Sequence, residues 1–284
     1  MTRPPAWARA LVALDRGAQR GARAVHDACE SAALHLLDDA RRQALTTWCY
    51  DRATTYRPGE PFFRRGLFAW ESRALDDLAL DAGSRVLLIG AGGGREIDAL
   101  LARGYKVTAT EPAPALLRSA AAHFKDPEGR VTLVRGGFDD MDAWSATVTE
   151  PPRLVLAGWG AFAHVLPSSR RREVLRAVRG RWPEALVFVS YPVETAPARS
   201  RAFELVARVA SPMQTDAITV EPGDHVWTHA GVVHGFVRGE VGDLAAAAGY
   251  RVVWERAEPY GHALLTPSAT SPWGGSWPAP GRSP

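Results

Sequence analysis

A run of apolar residues, Val86-Leu87-Leu88-Ile89, passes directly into Gly90-Ala91-Gly92-Gly93-Gly94 and then into an apolar-periodic stretch from Ile97 to Leu101. Consecutive apolar residues bounded by glycine mark a strand buried on both faces. A strand that turns through glycine into a helix opens a βαβ unit. The alternation continues down the chain. The pattern predicts further strands at 105–110, 131–135, 154–157 and 186–190, with helices at 114–124 and 168–179, the latter capped by Ser168. Strands alternating with helices of roughly ten residues imply a parallel sheet with helices on both faces. Residues 195–224 break the rhythm and read as an insertion carrying a helix at 200–210, and 225–237 reads as extended. A helix at 241–248 and strands at 250–255 and 262–265 then complete a sheet of seven strands.

Ahead of the sheet the pattern is helical. Apolar or small residues recur at Val25, Cys29, Ala33, Leu36, Ala40, Ala44 and Trp48, which predicts an amphipathic helix over 25–49. An aromatic- and glycine-rich loop follows, then a second helix at 67–80. The expected organisation is a basic segment (1–24), a helical cap (25–80), an α/β domain (81–266) and a disordered tail (267–284) rich in Pro, Ser, Gly and Ala. The basic segment reads as a loosely docked terminal helix.

Composition removes several function classes. Only two of the 34 basic residues are lysines, Lys106 and Lys125, and the net charge is +3. Acidic residues accompany the arginines, as in Asp38-Asp39-Ala40-Arg41-Arg42, whereas a nucleic-acid binder concentrates basic charge on one face. No apolar run is long enough to predict a transmembrane helix, and no apolar core of a secretory signal follows the basic start. Two cysteines, Cys29 and Cys49, make neither a metal knuckle nor a disulfide framework, so reduced thiols in a cytoplasmic protein are expected.

The glycine turn allows positive φ and close approach of a ligand to the backbone, and the helix after it offers free N–H groups. A dinucleotide fingerprint needs glycine at its first, third and sixth positions. Counting from Gly90, the sixth is Arg95, and no Gly-Lys-Ser/Thr of a P-loop occurs. The second signal is Glu111, which ends the predicted strand beside the turn and stands before Pro112. At that place a carboxylate can accept hydrogen bonds from the paired hydroxyls of a ribose; the alternative is a surface glutamate before a proline turn.

On these residues (Gly90, Gly92 and Gly94 in the turn, Glu111 ending the second strand, and Arg135-Gly136-Gly137-Phe138-Asp139 after the third) the chain resembles the class I, Rossmann-like S-adenosylmethionine-dependent methyltransferases. The resemblance runs from about Asp81 to Pro267 and includes the closing Tyr260-Gly261-His262-Ala263-Leu264-Leu265. It implies a Rossmann-like, mostly parallel seven-stranded α/β sheet and S-adenosylmethionine as cofactor. It places Gly90, Ala91, Gly92, Gly94, Glu111, Pro112 and Trp159 on the cofactor, with Phe138 and Asp139 near the adenine. Two positions depart from the family pattern: Leu88 stands where an acidic residue is usual, and Gly137 where one often reads the adenine amino group.

Methyl transfer from a sulfonium is a direct displacement, so alignment and exclusion of water carry much of the catalysis. A base is needed only where the nucleophile arrives protonated. After the fourth strand, Trp159 is either a pocket wall or a core residue, and His164 either a general base or a packed histidine. Among His225, His229 and His234, the last is expected to face the substrate; no carboxylate at regular spacing completes a metal site. Tyr50, Tyr56, Phe62, Phe63, Phe68 and Trp70 either line a cap over the site, with Tyr50, Tyr56 and Trp159 toward the substrate, or simply pack. The run Arg170-Arg171-Arg172, with Arg176 and Arg179, reads as a solvated helix face. The Asn/Asp-Pro-Pro-aromatic signature of base methylation is missing, which argues against a nucleic-acid substrate. The expectation is a methyltransferase acting on oxygen or nitrogen of a small metabolite-like acceptor. Its rivals are a non-catalytic S-adenosylmethionine-binding scaffold and a nicotinamide oxidoreductase, the latter disfavoured by Arg95.

Overall fold

The computed structural model describes residues 6–125, 129–194, 199–211 and 219–268. Four helices precede the sheet: α1 (Ala6–Leu36), α2 (Asp39–Arg52), α3 (Pro61–Arg64) and α4 (Ala69–Asp77). The alternating part runs β1 (Arg85–Ile89), α5 (Arg95–Ala102), β2 (Lys106–Glu111), α6 (Pro114–His123), β3 (Val131–Arg135), α7 (Met141–Trp144), β4 (Leu154–Ala157), α8 (Ser168–Arg181) and β5 (Leu186–Tyr191). Then come α9 (Arg201–Ala210), the strands β6 (Asp224–Trp227) and β7 (Gly231–His234), α10 (Glu240–Ala247), β8 (Tyr250–Arg256) and β9 (Gly261–Pro267).

The main sheet has the order β3-β2-β1-β4-β5-β9-β8. β1 to β5 are parallel, and β9 lies antiparallel between β5 and β8. The seven-stranded, mostly parallel sheet expected from the alternation is therefore present. Period-two side-chain alternation divides its strands between two cores. Leu87 and Ile89 of β1, with Val155, Ala157, Val187 and Val189, pack under α7, α8 and α10. Val86 and Leu88, with Leu154, Leu156, Leu186 and Phe188, pack under α4 and α5. Leu88 is fully buried there, so an acid at this position would lie in an apolar layer. Between β1 and β4 the order of building reverses, which opens a crevice at their carboxyl ends.

The region before the sheet departs from the sequence expectation. Where one helix is predicted over 25–49, Asp38 accepts a hydrogen bond from the Arg41 N–H at 2.8 Å and caps a new helix, α2. The basic segment is not separate: it is the start of α1, and residues 12–26 are all exposed. The apolar stripe also faces the opposite way. Val25, Cys29, Leu36, Ala40, Ala44 and Trp48 are exposed, with Trp48 at 52%. The inner face carries Glu30, Ser31, Leu34 and Arg42 instead. Ser31 donates to the Phe203 carbonyl at 2.8 Å, Glu30 accepts from the Val226 N–H at 3.0 Å, and Arg42 donates to the carbonyls of Leu34 and Thr219. Helix α9 and β6 offer backbone polar groups to α1, and the Thr219 carbonyl ahead of β6 offers one to α2, so a polar inner face is satisfied on docking.

Further corrections concern local elements. Residues 61–64 are helical rather than loop, and the second cap helix is the shorter α4. The extended stretch 225–237 is an antiparallel hairpin, β6–β7, apart from the main sheet, with Asp224 opposite His234. Arg171 does not belong to a solvated face; it is fully buried. Ser168 does not cap α8 as expected: it is the first helical residue and Pro167 holds the N-cap position without a capping side-chain bond, whereas Ser200 caps α9 through the Phe203 N–H. Of the tail expected over 267–284, Pro267 instead ends β9 and the Ser268 N–H donates to the Gly249 carbonyl at 2.9 Å; residues 269–284 lie outside the described residues. No helix among the described residues is long and apolar enough to cross a membrane.

Candidate functional site

A cleft lies over the carboxyl ends of β1, β2 and β4 and is roofed by α2 and α3. It encloses about 960 Å³ including its open mouth. Its floor is the glycine turn. Gly90 has φ +79°, and a Cβ there would lie 2.7 Å from the Ala161 Cβ. At Gly93, which sequence reasoning left out, a Cβ would lie 2.1 Å from the Tyr56 carbonyl oxygen, so the cap backbone rests directly on the turn. Gly94 does not line the cleft; with φ +98° it forms the N-cap of α5, and its missing side chain leaves room for Phe124.

Glu111 ends β2 inside the cleft and is buried. One carboxylate oxygen accepts from the Gly92 N–H at 2.7 Å, the other from the Ala113 N–H at 2.8 Å. Burial pushes the carboxyl up to about 7, against the lowering effect of both amide bonds. Each oxygen keeps a second acceptor site, so the group can still take a pair of hydroxyls. Pro112, Phe138 and Asp139 line the cleft beyond it. Asp139 is raised by burial, and Arg170 approaches its carboxylate at 3.7 Å. Gly137 donates its N–H to Asp140 at 2.6 Å, leaving Asp139 as the carboxylate on the wall at this end.

Opposite lies a network that the sequence did not reveal. Arg95 forks onto Glu71 of α4 at 2.6 and 2.7 Å, reaches Glu96 at 2.8 Å and donates to the Gly66 carbonyl at 2.8 Å. All three side chains are buried, and Glu96 also accepts from the Trp159 N–H at 3.3 Å. Arg95 thus ties the cap to the glycine turn. Read along the chain it only excludes a dinucleotide fingerprint, because its partner Glu71 comes from another element. Trp159 is both wall and packing residue, with ring centroids 5.2 Å from Phe62, 5.5 Å from Phe68 and 5.6 Å from Tyr260. Tyr260 was not anticipated either.

Tyr50 and Tyr56 line the roof, their rings 5.5 Å apart. The Tyr50 hydroxyl lies 3.0 Å from His164 Nε2, and His164 Nδ1 lies 2.7 Å from the Val232 carbonyl. A carbonyl only accepts, so Nδ1 carries the proton and Nε2 accepts from Tyr50. Burial holds the His164 pKa down and raises that of Tyr50, so both are neutral near pH 7.

His234 does not face the cleft. It is buried in the hairpin, with Nδ1 2.7 Å from Asp224 and Nε2 2.9 Å from Glu240. Arg171 joins through Glu221 at 2.7 Å and Glu240 at 3.4 Å. Ligand-capable atoms of Glu221, Asp224 and His234 lie within 4.8 Å of one another, but Arg171 and Glu240 occupy them as hydrogen-bonded ion pairs. The carboxylate partners that sequence spacing did not supply come from across the hairpin and from α10. His225 lies 3.0 Å from Glu30 and 2.9 Å from Glu194, pinning the hairpin to α1, and His229 stacks on Trp227.

By sequence the chain matches no protein-family model and no curated protein. Its fold is matched in solved structures. The CcbJ methyltransferase from Streptomyces caelestis superposes with a TM-score of 0.55 at 17% identity, over 78% of this chain and 98% of that one. The 1,6-didemethyltoxoflavin-N1-methyltransferase of Burkholderia thailandensis, solved with 1,6-didemethyltoxoflavin and S-adenosylhomocysteine, gives 0.56 at 17% identity, over 82% and 92%. A SAM-dependent methyltransferase from Methanosarcina mazei gives 0.51 at 14% identity, over 72% and 99%. The chain has the Rossmann-like fold of these class I methyltransferases.

Proposed function

We propose that this chain is an S-adenosylmethionine-dependent methyltransferase acting on oxygen or nitrogen of a small, metabolite-like acceptor. The observation that carries the reading is Glu111: a buried carboxylate at the end of β2, bonded to the Gly92 N–H, within a cleft that has Phe138 and Asp139 on one side and the glycine turn on the other. The residues fit the cofactor. Glu111 would accept the ribose hydroxyls, Pro112 and Phe138 would flank the adenine beside Asp139, and Gly90, Ala91 and Gly92 would meet the amino-acid end. Glu96 adds a carboxylate there for an ammonium group. When bound, the cofactor supplies a methyl group already activated on a sulfonium centre. The aromatic faces of Tyr50, Tyr56, Phe62 and Trp159 favour a cation, and the roof excludes water. In this reading α1 to α4 act as the cap. The shared fold with a protein that binds S-adenosylhomocysteine supports the assignment.

Calorimetric titration with S-adenosylhomocysteine, with NAD as comparison, tests it. Binding of the first at about micromolar strength and none of the second is the expected result. Binding of NAD alone would turn the reading to a nicotinamide enzyme. Glu111→Ala is expected to weaken S-adenosylhomocysteine binding by about 1–3 kcal/mol, the effect of losing hydrogen bonds to a charged group. Unchanged affinity in a folded variant would remove Glu111 from the ribose site. A chain that binds tightly but turns over nothing across a broad acceptor panel would favour the scaffold alternative.

A further inference from the structure

Resting on that reading, we propose that the acceptor is a hydroxyl compound and that Tyr50, not His164, takes its proton, passing its own to His164 Nε2. His164 lines the cleft, but neither ring nitrogen is free. Nδ1 is committed to the Val232 carbonyl at 2.7 Å and Nε2 to the Tyr50 hydroxyl at 3.0 Å. An acceptor group cannot reach the imidazole lone pair without displacing Tyr50. The phenol donates to Nε2 and keeps its own lone pairs for a second donor. Tyr50 is thus the catalytic residue, and His164 the positioning and proton-holding residue behind it.

One residue aligns both members. The Val232 carbonyl fixes the tautomer of His164, and the Val232 N–H donates to Thr46 Oγ1 at 3.1 Å, one turn before Tyr50 on α2. At Gly231 a Cβ would lie 2.5 Å from the Thr46 Cα, so hairpin and helix touch through backbone. The rings of Tyr50 and His164 stand edge to face, 5.4 Å apart.

The balance closes. The acceptor oxygen forms a bond to the methyl carbon as the carbon–sulfur bond breaks, and that electron pair stays on sulfur. The hydroxyl proton moves to Tyr50 Oη while the Tyr50 proton moves to His164 Nε2, from which solvent later removes it. The cleft begins with a sulfonium and ends with an imidazolium, so its net charge is constant through transfer. A neutral amine attacks through its lone pair and needs no proton acceptor beforehand; a hydroxyl does. A half-buried neutral imidazole trained on a phenol suits a hydroxyl, which brings its proton to the site at any working pH.

The test reads the ring nitrogens of His164 by 15N NMR, assigned by their loss in His164→Gln. In the free protein the expected spectrum is the neutral Nδ1–H tautomer, with Nε2 shifting in Tyr50→Phe. An Nε2–H tautomer, or a Tyr50→Phe spectrum identical to wild type, overturns the relay. The protein saturated with S-adenosylhomocysteine is then titrated with phenol and with aniline. Phenol is expected to move Nε2 in wild type and not in Tyr50→Phe. No response to phenol, or a response to aniline alone, overturns the hydroxyl assignment. With a hydroxyl acceptor, Tyr50→Phe should lower kcat by about 10²–10⁴-fold at unchanged S-adenosylhomocysteine affinity, and His164→Gln should also flatten the pH profile of kcat. Failure of S-adenosylhomocysteine to bind strikes the methyltransferase reading instead and leaves the free-protein result standing.

Discussion

Arg95→Ala is expected to destabilise the folded chain by about 3–5 kcal/mol, the cost of leaving buried charge without its partner. Arg95 is 4% exposed and makes three of its bonds to Glu71 and Glu96, themselves 5% and 6% exposed. Burial already raises the Glu71 carboxyl, and the Arg95 fork is what opposes that. Truncation leaves two carboxylates in a pocket walled by Phe62 and Phe68, whose rings lie 5.2 and 5.1 Å from the guanidinium. Because Arg95 holds the cap to the glycine turn, S-adenosylhomocysteine affinity should fall with it. Urea unfolding measures the first effect and calorimetry the second. A triple change, Arg95→Met with Glu71→Gln and Glu96→Gln, should recover much of the stability but not the binding, since it removes the charges together. A loss below about 1 kcal/mol for Arg95→Ala, the size of an exposed pair, would show the network to be solvated.

The second large effect is expected at the hairpin. His234 donates to Asp224 and Glu240 at once, which requires the imidazolium, and both bonds raise its pKa against burial and the repulsion of Arg171. Arg171 and Glu221 are the other charges facing it. A folded-state pKa above the ordinary 6.5 means that this stabilisation is complete below 6.5 and is lost as the pH rises through the raised value. Glu240 behaves oppositely. Its carboxyl lies below the ordinary 4.5, so its contribution is present above 4.5 and is lost as the pH falls through the lowered value. The network is therefore strongest in mildly acidic solution. His234→Leu leaves three buried or half-buried carboxylates facing Arg171 alone and should cost about 3–5 kcal/mol at pH 6, with less difference from wild type at pH 9. Urea midpoints of both proteins across that range measure it. Glu111, raised to about 7, also weakens the fold as pH rises, but it is common to both proteins and cancels in the difference. A difference independent of pH would mean that His234 is neutral in the fold.

These two networks mark where reading along the chain stops. A continuous apolar run and a glycine cluster are local properties, so β1, the turn after it and Glu111 at the end of β2 are visible in the sequence itself. The same holds for the seven strands and for Tyr50, Tyr56 and Trp159 on the wall of the cleft. Periodicity also marked the region before the sheet as helical, but it ran α1 and α2 together, left α3 as loop and assigned the wrong inner face. An apolar stripe states how a helix can be buried against apolar surface; α1 and α2 meet backbone carbonyls and amides of α9, β6, β7 and Thr219 instead, and turn Ser31, Glu30, Thr46 and Arg42 toward them.

What tertiary structure alone decided is which charged or polar group meets which. Arg95 finds Glu71 across 24 residues, His164 finds Tyr50 across 114, and Glu30 finds His225 across 195. Such pairs leave no periodic trace, because each joins two elements far apart along the chain. Local propensity and hydrophobic alternation determined the scaffold and the place of its cleft. The burial of unlike charges and the two directed hydrogen bonds of one imidazole determined which side chains meet around it.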